Sequence, residues 1–408
     1  MHPEFIVSVD FGTTKVAATV GEYTDGHMKI IGAACRPSAG IRKGMVIDIE
    51  DAAACVGQAI EQAEKMAGLE IEGVCAGISG PHVRSINSRG MVTIPSDRGE
   101  VTYADIERVT EAAGNIILPA DMEVLHTIPL DFMVDNQRGI SDPTGMNASR
   151  LGVEVHLVTA QTVLIENLRR VFEKVGLEMI STVFQPIACG HAVLKDEEMT
   201  SGCLVIDIGG GITDYALYHG GFVRMSGVIP AGGENITRDI AIGLRIPESV
   251  ACDVKLKYGL ALESLAGEDE IVLLPGDQEN GGHEVRKKII AAIIEPRCEE
   301  IFEMVKSAVS SSQWFDTMGG GVVLTGGGSK LMGMKSVAGQ VFDLPVRKGL
   351  PEGLMGLSEV VADESWSAAV GLLFFESDRI NREASRKSLG GNFRMMLDRI
   401  RKIASLFL

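Results

Sequence analysis

Two apolar blocks, residues 5–10 and 16–21, flank a Phe-Gly-Thr-Thr turn and read as a pair of strands, and Tyr-Thr-Asp-Gly-His turns the chain toward a third at residues 29–34. The period then changes. Across residues 48–70, Ala, Val, Ile and Met recur at helical spacing with Gly68 placed as a stop, and the run IEGVCAGISG reads as a buried strand. A second block opens with a strand at 203–208, turns through Gly209, Gly210 and Gly211, and continues as a strand at 212–218. The two blocks align Asp10 with Asp207 and Gly12 with Gly209, an offset of 197 residues, so one strand–turn–strand unit occurs twice.

Between the copies, residues 82–161 have strand, helix and turn patterns of their own and predict an inserted α+β unit. Residues 1–81 and 162–198 then make up one lobe, the latter adding helix, strand and helix. Residues 199–242 and 301–365 make up the other, with a second insertion at 243–300 that runs through an acidic, Gly-rich stretch into a long amphipathic helix. GGGVVLTGGGSKLMGM predicts strand, glycine loop and helix, WSAAVGLLFF a last buried helix over 366–375, and 376–391 a polar flexible linker.

Composition narrows the class. Apolar residues at 45% and charged residues at 23% are those of an ordinary globular chain, and 408 residues predict two domains or lobes. A net charge of −17 argues against nucleic acid as a partner. The seven cysteines form no CxxC pair, the start has no secretory pattern, and no apolar run is long enough to span a bilayer, so a reducing cytoplasm is expected. No His and Cys spacing suggests a structural metal.

The turns carry the chemistry. A phosphate chain needs backbone N–H groups at close approach, which glycine and small hydroxyl residues permit, and both turns qualify. A carboxylate just ahead of each turn would repel phosphate directly; its sensible use is to hold the water shell of Mg²⁺, which assigns Asp10 and Asp207 to the metal. Gly326, Gly327 and Gly328 with Ser329, after a buried strand and before a helix, form a third loop on which a nucleoside can rest. GxGxxG and GxxxxGK[ST] patterns are absent.

As a set, VSVDFGTTKVAATV, VIDIGGGITDYALY and VVLTGGGSKLMGM resemble the phosphate 1, phosphate 2 and adenosine motifs of the actin, Hsp70 and sugar-kinase superfamily, and FQPIACGHAVL and WSAAVGLLFF resemble its connecting helices. With PLDFMVDNQRGISDPTGMNASRLGVEVHLVT and IPAGGENITRDIAIGLRIP, the whole chain resembles the FtsA family of bacterial division proteins. That resemblance implies an actin-like α/β fold of two duplicated ribonuclease-H-like lobes, lacking subdomain IB and carrying a subdomain IC at 82–161, with subdomain IIB at 243–300 and ATP bound with Mg²⁺ in the cleft. It places Gly12, Thr13, Thr14 and Lys15 on the phosphates from one lobe and Gly209, Gly210, Gly211 and Thr213 from the other. Gln185 falls where relatives orient water or the metal shell, or else is a helix-capping amide. Gly232, Gly233 and Glu234 match a loop closing over the nucleotide; Asp253 and Lys257 match a helix facing ribose and adenine, or are solvent-facing charges. Without a strong general base beyond Gln185, ATP turnover should be slow or absent. The implied partners are the tubulin-like FtsZ ring, further copies of the chain in a filament, later division proteins and the cytoplasmic face of the inner membrane.

The tail bears on that last partner. Residues 379–408 carry eight Lys or Arg against Glu383 and Asp398. Within 392–408, Phe393, Met396, Leu397, Ile400, Ile403 and Phe407 share one helical face, while Arg394, Arg401 and Lys402 fall opposite and Arg399 adds to the charge. The pattern predicts an amphipathic helix of roughly 25 Å lying in an anionic membrane surface, with a terminal helix docked on its own body as the plain alternative. A metabolic kinase of the superfamily has no use for such a tail, an Hsp70-type chaperone would continue into a β-rich domain, and a pilus-assembly relative is the nearest rival.

Overall fold

The computed structural model describes residues 4–95, 98–274 and 282–381. The expected membrane helix at 392–408 lies outside the described residues, as does 382–391 of the expected linker.

The chain opens with an antiparallel meander, β1 (Glu4–Phe11), β2 (Lys15–Thr24) and β3 (His27–Pro37), then a two-residue hairpin of β4 (Ile41–Arg42) and β5 (Met45–Val46). In α1 (Ile49–Ala67), the Asp48 carboxylate accepts from the N–H groups of Glu50 and Asp51 at the start, and Gly68, at φ 69°, ends the helix. Its Ala-rich face, with Val56 and Ile60, packs on the meander; a Cβ on Gly32 would stand 2.6 Å from the Ala63 carbonyl, so glycine there lets helix and strand meet. β6 (Gly73–Ile78) returns parallel to β1. The chain then leaves through β7 (Arg84–Thr93), α2 (Tyr103–Gly114), β8 (Met122–Val134), β9 (Gln137–Ile140) and β10 (Arg150–Gln161), which form their own sheet, β7-β10-β8-β9, and a small separate core. It comes back through α3 (Thr162–Lys174), β11 (Glu178–Phe184) and α4 (Gln185–Val193).

After the short α5 (Asp196–Ser201), a second meander, β12 (Cys203–Ile208), β13 (Thr213–His219) and β14 (Phe222–Ile229), leads to α6 (Gly233–Leu244), α7 (Glu248–Tyr258), the hairpin β15 (Ile271–Leu274) with β16 (His283–Arg286), and α8 (Lys287–Val309). β17 (Val322–Thr325), α9 (Met334–Phe342), β18 (Val346–Lys348) and β19 (Leu354–Gly356) precede a last helix, α10 (367–381). The main sheets run β11-β6-β1-β2-β3-β19 and β14-β13-β12-β17-β18. Apart from the added edge strand β19, both have the same order: a three-strand meander followed by two parallel strands beside its first strand. The predicted duplication therefore extends from the turns to the topology of both lobes.

α4 and α10 pack in the core with residues of both lobes. They cross where a Cβ on Gly371 would lie 1.9 Å from the Ala188 carbonyl, so only glycine lets the two backbones touch. α10 is longer than expected. Residues 376–381, read as the start of a linker, continue the helix because Glu376 and Ser377 are buried and Glu376 pairs with Arg379 and accepts from Ser181.

The inserted unit also reaches the second lobe. β14 is a sheet edge with open carbonyls. Ser85 on β7 donates to the Ser226 carbonyl (2.5 Å) and Asn87 to that of Arg224 (3.1 Å). Buried His156 meets Asn87 Oδ1 through Nδ1 and Ser226 Oγ through Nε2, each at 2.7 Å, and Arg224 pairs with Asp131. Burial lowers the His156 pKa from 6.5 to about 4, with His126 adding to the shift. Between those two values the unfolded histidine binds a proton and the folded one does not, so its stabilising share is whole above pH 6.5 and is lost as pH falls toward 4. The gap in urea midpoint between the native chain and His156→Gln should therefore shrink from pH 7 to pH 4.5; a gap independent of pH contradicts the assignment.

Candidate functional site

The two turns are built alike to the level of single hydrogen bonds. Asp10 stands opposite Ala17 and Phe11 opposite Val16, and Gly12 N–H closes the first turn on the Lys15 carbonyl at 2.9 Å. In the second, Asp207 stands opposite Asp214 and Ile208 opposite Thr213, and Gly209 N–H closes on the Ile212 carbonyl at 3.0 Å. The turns touch: a Cβ on Gly210 would meet the Thr14 methyl at 2.5 Å, and one on Gly211 would meet Thr13 Oγ1 at 2.8 Å. α6 braces the second turn, with Gly233 and Glu234 N–H groups donating to the carbonyls of Gly209 and Gly210 at 2.9 and 2.7 Å. Such bonds satisfy helix-start donors that otherwise need a cap.

The turns meet at one cleft of about 610 Å³, within the ordinary range for a cofactor site. Asp10, Gly12, Thr13, Thr14 and Lys15 line it from one lobe, with Gln185. Asp207, Gly209, Gly210, Gly233, Glu234, Lys257 and the loop Gly326, Gly327, Gly328 line it from the other. Gly326 is obligatory: at φ 82° and ψ 161° its backbone is almost closed to other residues, and a Cβ would stand 2.0 Å from Asp207 Oδ1.

Its floor is acidic. Burial raises the Asp10 carboxyl to about 6, with Lys15 opposing and Asp207 reinforcing the shift. Burial likewise raises Asp207, and raises Asp214 well above the carboxylate range with Asp207 and Asp10 adding to it. Each has a specific partner: Gln185 Nε2 donates to Asp10 Oδ1 at 2.5 Å, the Cys189 thiol to Asp207 Oδ2 at 3.1 Å, and the Ser79 hydroxyl to Asp214. Among the described residues no group of three His, Cys, Asp or Glu could ligate a metal directly. The buried carboxylates instead fit a hydrated Mg²⁺ held through water, and the unpartnered, buried Thr13 Oγ1 fits a phosphate oxygen.

Several expected residues have different roles. Thr213 Oγ1 is buried and donates to the Ala231 carbonyl at 2.8 Å, and Ser329 Oγ donates to that of Gly326 at 2.7 Å, so both hydroxyls hold loops rather than face the cleft. Gly232 and Gly211 stand behind the lining, the former because a Cβ would strike the Gly209 and Gly210 carbonyls at 2.7 Å. Asp253 is exposed and outside the cleft. Lys255, two positions on, lines it and donates to the Gly233 carbonyl at 2.8 Å, burial lowering its pKa. Lys15 lines the cleft with its ammonium held by the Ser365 carbonyl, 4.9 Å from the Trp366 ring centre. Gln185 is not a cap, since α4 has no side-chain cap bond; it orients Asp10. Asp214, Cys189 and Ser79 were not anticipated. Asp214 was visible in GGGITDY, but the duplicated position is Ala17, so alignment of the copies passed over it.

Residues 80–159 match the family described as "SHS2 domain inserted in FTSA", and residues 204–371 match "Cell division protein FtsA". The cell division protein FtsA of Pseudomonas aeruginosa is 39% identical over 94% of this chain and 93% of its own length. The chain belongs to the FtsA family. FtsA of Escherichia coli K12 is 36% identical over 93% and 92% of the two chains, and FtsA of Bacillus subtilis 36% over 98% and 89%. Solved structures show the actin-like fold. A PilM-PilN type IV pilus biogenesis complex aligns at TM-score 0.63 and 20% identity, over 90% of this chain and 97% of that one. MreB5 of Spiroplasma citri bound to ADP aligns at 0.56 and 16%, over 92% and 97%. In this FtsA-family chain, Gly326→Ala should lower stability by about 2 kcal/mol or more, since one methyl meets both a forbidden backbone region and a buried carboxylate; an unchanged urea midpoint contradicts the loop geometry.

Proposed function

We propose that the protein is an ATP-binding, actin-like division protein that polymerises on the cytoplasmic face of the bacterial inner membrane, anchors the FtsZ ring at the septum and recruits later division proteins. The observation that carries this reading is the pair of register-matched turns and the third glycine loop around one cleft, in a chain of the FtsA family. Nucleotide binding is supported by the MreB5 structures, which hold ADP and AMPPNP, and self-assembly by the likeness to a MamK double helical filament (TM-score 0.53, 14% identity). Gly12, Thr13, Thr14, Gly209 and Gly210 would take the phosphates, and Asp10 and Asp207 the water shell of Mg²⁺. When bound, that ion supplies the positive charge that offsets both phosphates and carboxylates.

Attachment rests on the tail. No described helix is long and apolar enough to cross a membrane. By sequence period alone, Phe393, Met396, Leu397, Ile400, Ile403 and Phe407, with Arg394, Arg399, Arg401 and Lys402, would make a reversible anchor, and polymerisation would join many weak anchors into a firm one. The likeness to PilM favours pilus assembly as the second reading. Cosedimentation with FtsZ polymers decides between them: the division reading requires binding, and its absence favours the pilus reading.

Asp207→Ala should weaken ATP binding in Mg²⁺ by about 10-fold, as loss of a group supporting a metal's ligands does, and unchanged calorimetric affinity would sink that placement. Ile400→Glu with Phe407→Glu should release the protein from anionic liposomes without altering ATP affinity; persistent binding of the double variant would refute the anchor.

A further inference from the structure

Between β3 and α1 the β4–β5 hairpin pairs Ile41 with Val46 and Arg42 with Met45, leaving Lys43 and Gly44 as a two-residue loop. Both have positive φ, 49° and 72°, as the tight hairpin turn that suits strand twist requires. Asn, Asp or Gly takes the first of those positions at little cost, and lysine is a poor choice for it. The turn alone therefore does not account for Lys43. Gly44 is needed for fit, since a Cβ there would stand 2.3 Å from the Ser79 carbonyl.

The loop sits where the two phosphate turns meet. Gly44 lines the cleft. A Cβ on Gly211 would stand 3.3 Å from Lys43 Cα and 2.8 Å from Thr13 Oγ1, so the Lys43 backbone and both turns converge at Gly211, immediately behind the cleft lining. Polar groups there lack partners. Thr13 Oγ1, Ser38 Oγ and both ring nitrogens of His82 are buried without one; Ser38 is tied to the first turn through its N–H on the Thr14 carbonyl at 3.1 Å. Lys43 is half-buried and, among the described residues, has no ion pair or side-chain hydrogen bond. Of the lysines that line the cleft, Lys15 is engaged with Ser365 and Lys255 with Gly233, while Lys257 has no such partner among the described residues. An ammonium and two hydroxyls, all able to donate, are complementary to an anion with several acceptor oxygens.

We infer that Lys43 and Gly44 form a third phosphate-binding element, in which Lys43 pairs with the terminal phosphate of a bound nucleoside triphosphate and so distinguishes it from the diphosphate. This rests on the nucleotide reading above. It gives the hairpin a part in reporting nucleotide state, because the same loop presses on Ser79, which joins β6 to the inserted domain and donates to Asp214 in the opposite lobe.

The test is calorimetric titration of the full chain, in Mg²⁺, with ADP and with a non-hydrolysable ATP analogue. Lys43→Gln should weaken the analogue by about 10-fold or more, the effect of removing a charged hydrogen-bond donor, and change ADP affinity by less than about twofold. Lys43→Arg should restore most of the preference. Lys43→Gly relaxes the turn while removing the cation, so it should lose the preference with an undiminished melting temperature. Equal losses for both nucleotides, or none for either, overturn the inference and leave the nucleotide reading standing. A native chain that binds neither nucleotide overturns both.

Discussion

Three carboxylates buried at one cleft, with Lys15 as the charge that opposes Asp10 and Asp207, are the constraint on which the site depends. An ionised carboxyl out of water is costly unless paired. This protein holds its carboxyls with single donors from elsewhere in the chain: an amide from α4, a thiol from the same helix, a hydroxyl from the end of β6. Those donors come from the first lobe, and two of the carboxylates from the second. The lobes are thus joined at their most acidic point, and a cation arriving with phosphate would act on both.

The duplicated sheets explain why the carboxylates lie where they do. In each lobe the first strand is central and carries aspartate as its penultimate residue, and the turn to the second strand is closed by the same bond from glycine N–H to the carbonyl three residues on. Glycine then allows contact in three distinct places: turn against turn at Gly210, loop against carboxylate at Gly326, and helix against helix at Gly371. The inserted domain adds a second bridge, since it is covalently part of the first lobe and bonded to the edge strand of the second through Ser85, Asn87, His156 and Asp131. A change in lobe angle would have to move those contacts as well.

The turns, their repeat and the helix cap at Gly68 were legible because each is a local property of a few residues, glycine at a forced φ or a carboxylate ahead of a turn. What sequence could not supply was direction. Thr213 and Ser329 carry hydroxyls of the right kind in the right loops, yet neighbouring carbonyls take them. Asp253 and Lys255 differ by two positions, which on a helix is more than half a turn, and which of them faces the cleft depends on how α7 packs. Ser79 and Lys43 are far in sequence from the residues they approach, and only the fold brings them there.

In the proposed function, a nucleotide and a divalent cation acting together complete the two turns and their carboxylates. The direct measurement is the melting temperature of the native chain with Mg²⁺ alone, with an ATP analogue in chelator, and with both, because a ligand that binds only the folded state raises it. A small rise is expected with either alone and a much larger one with the pair. A full rise with Mg²⁺ alone, or none with the pair, would contradict it.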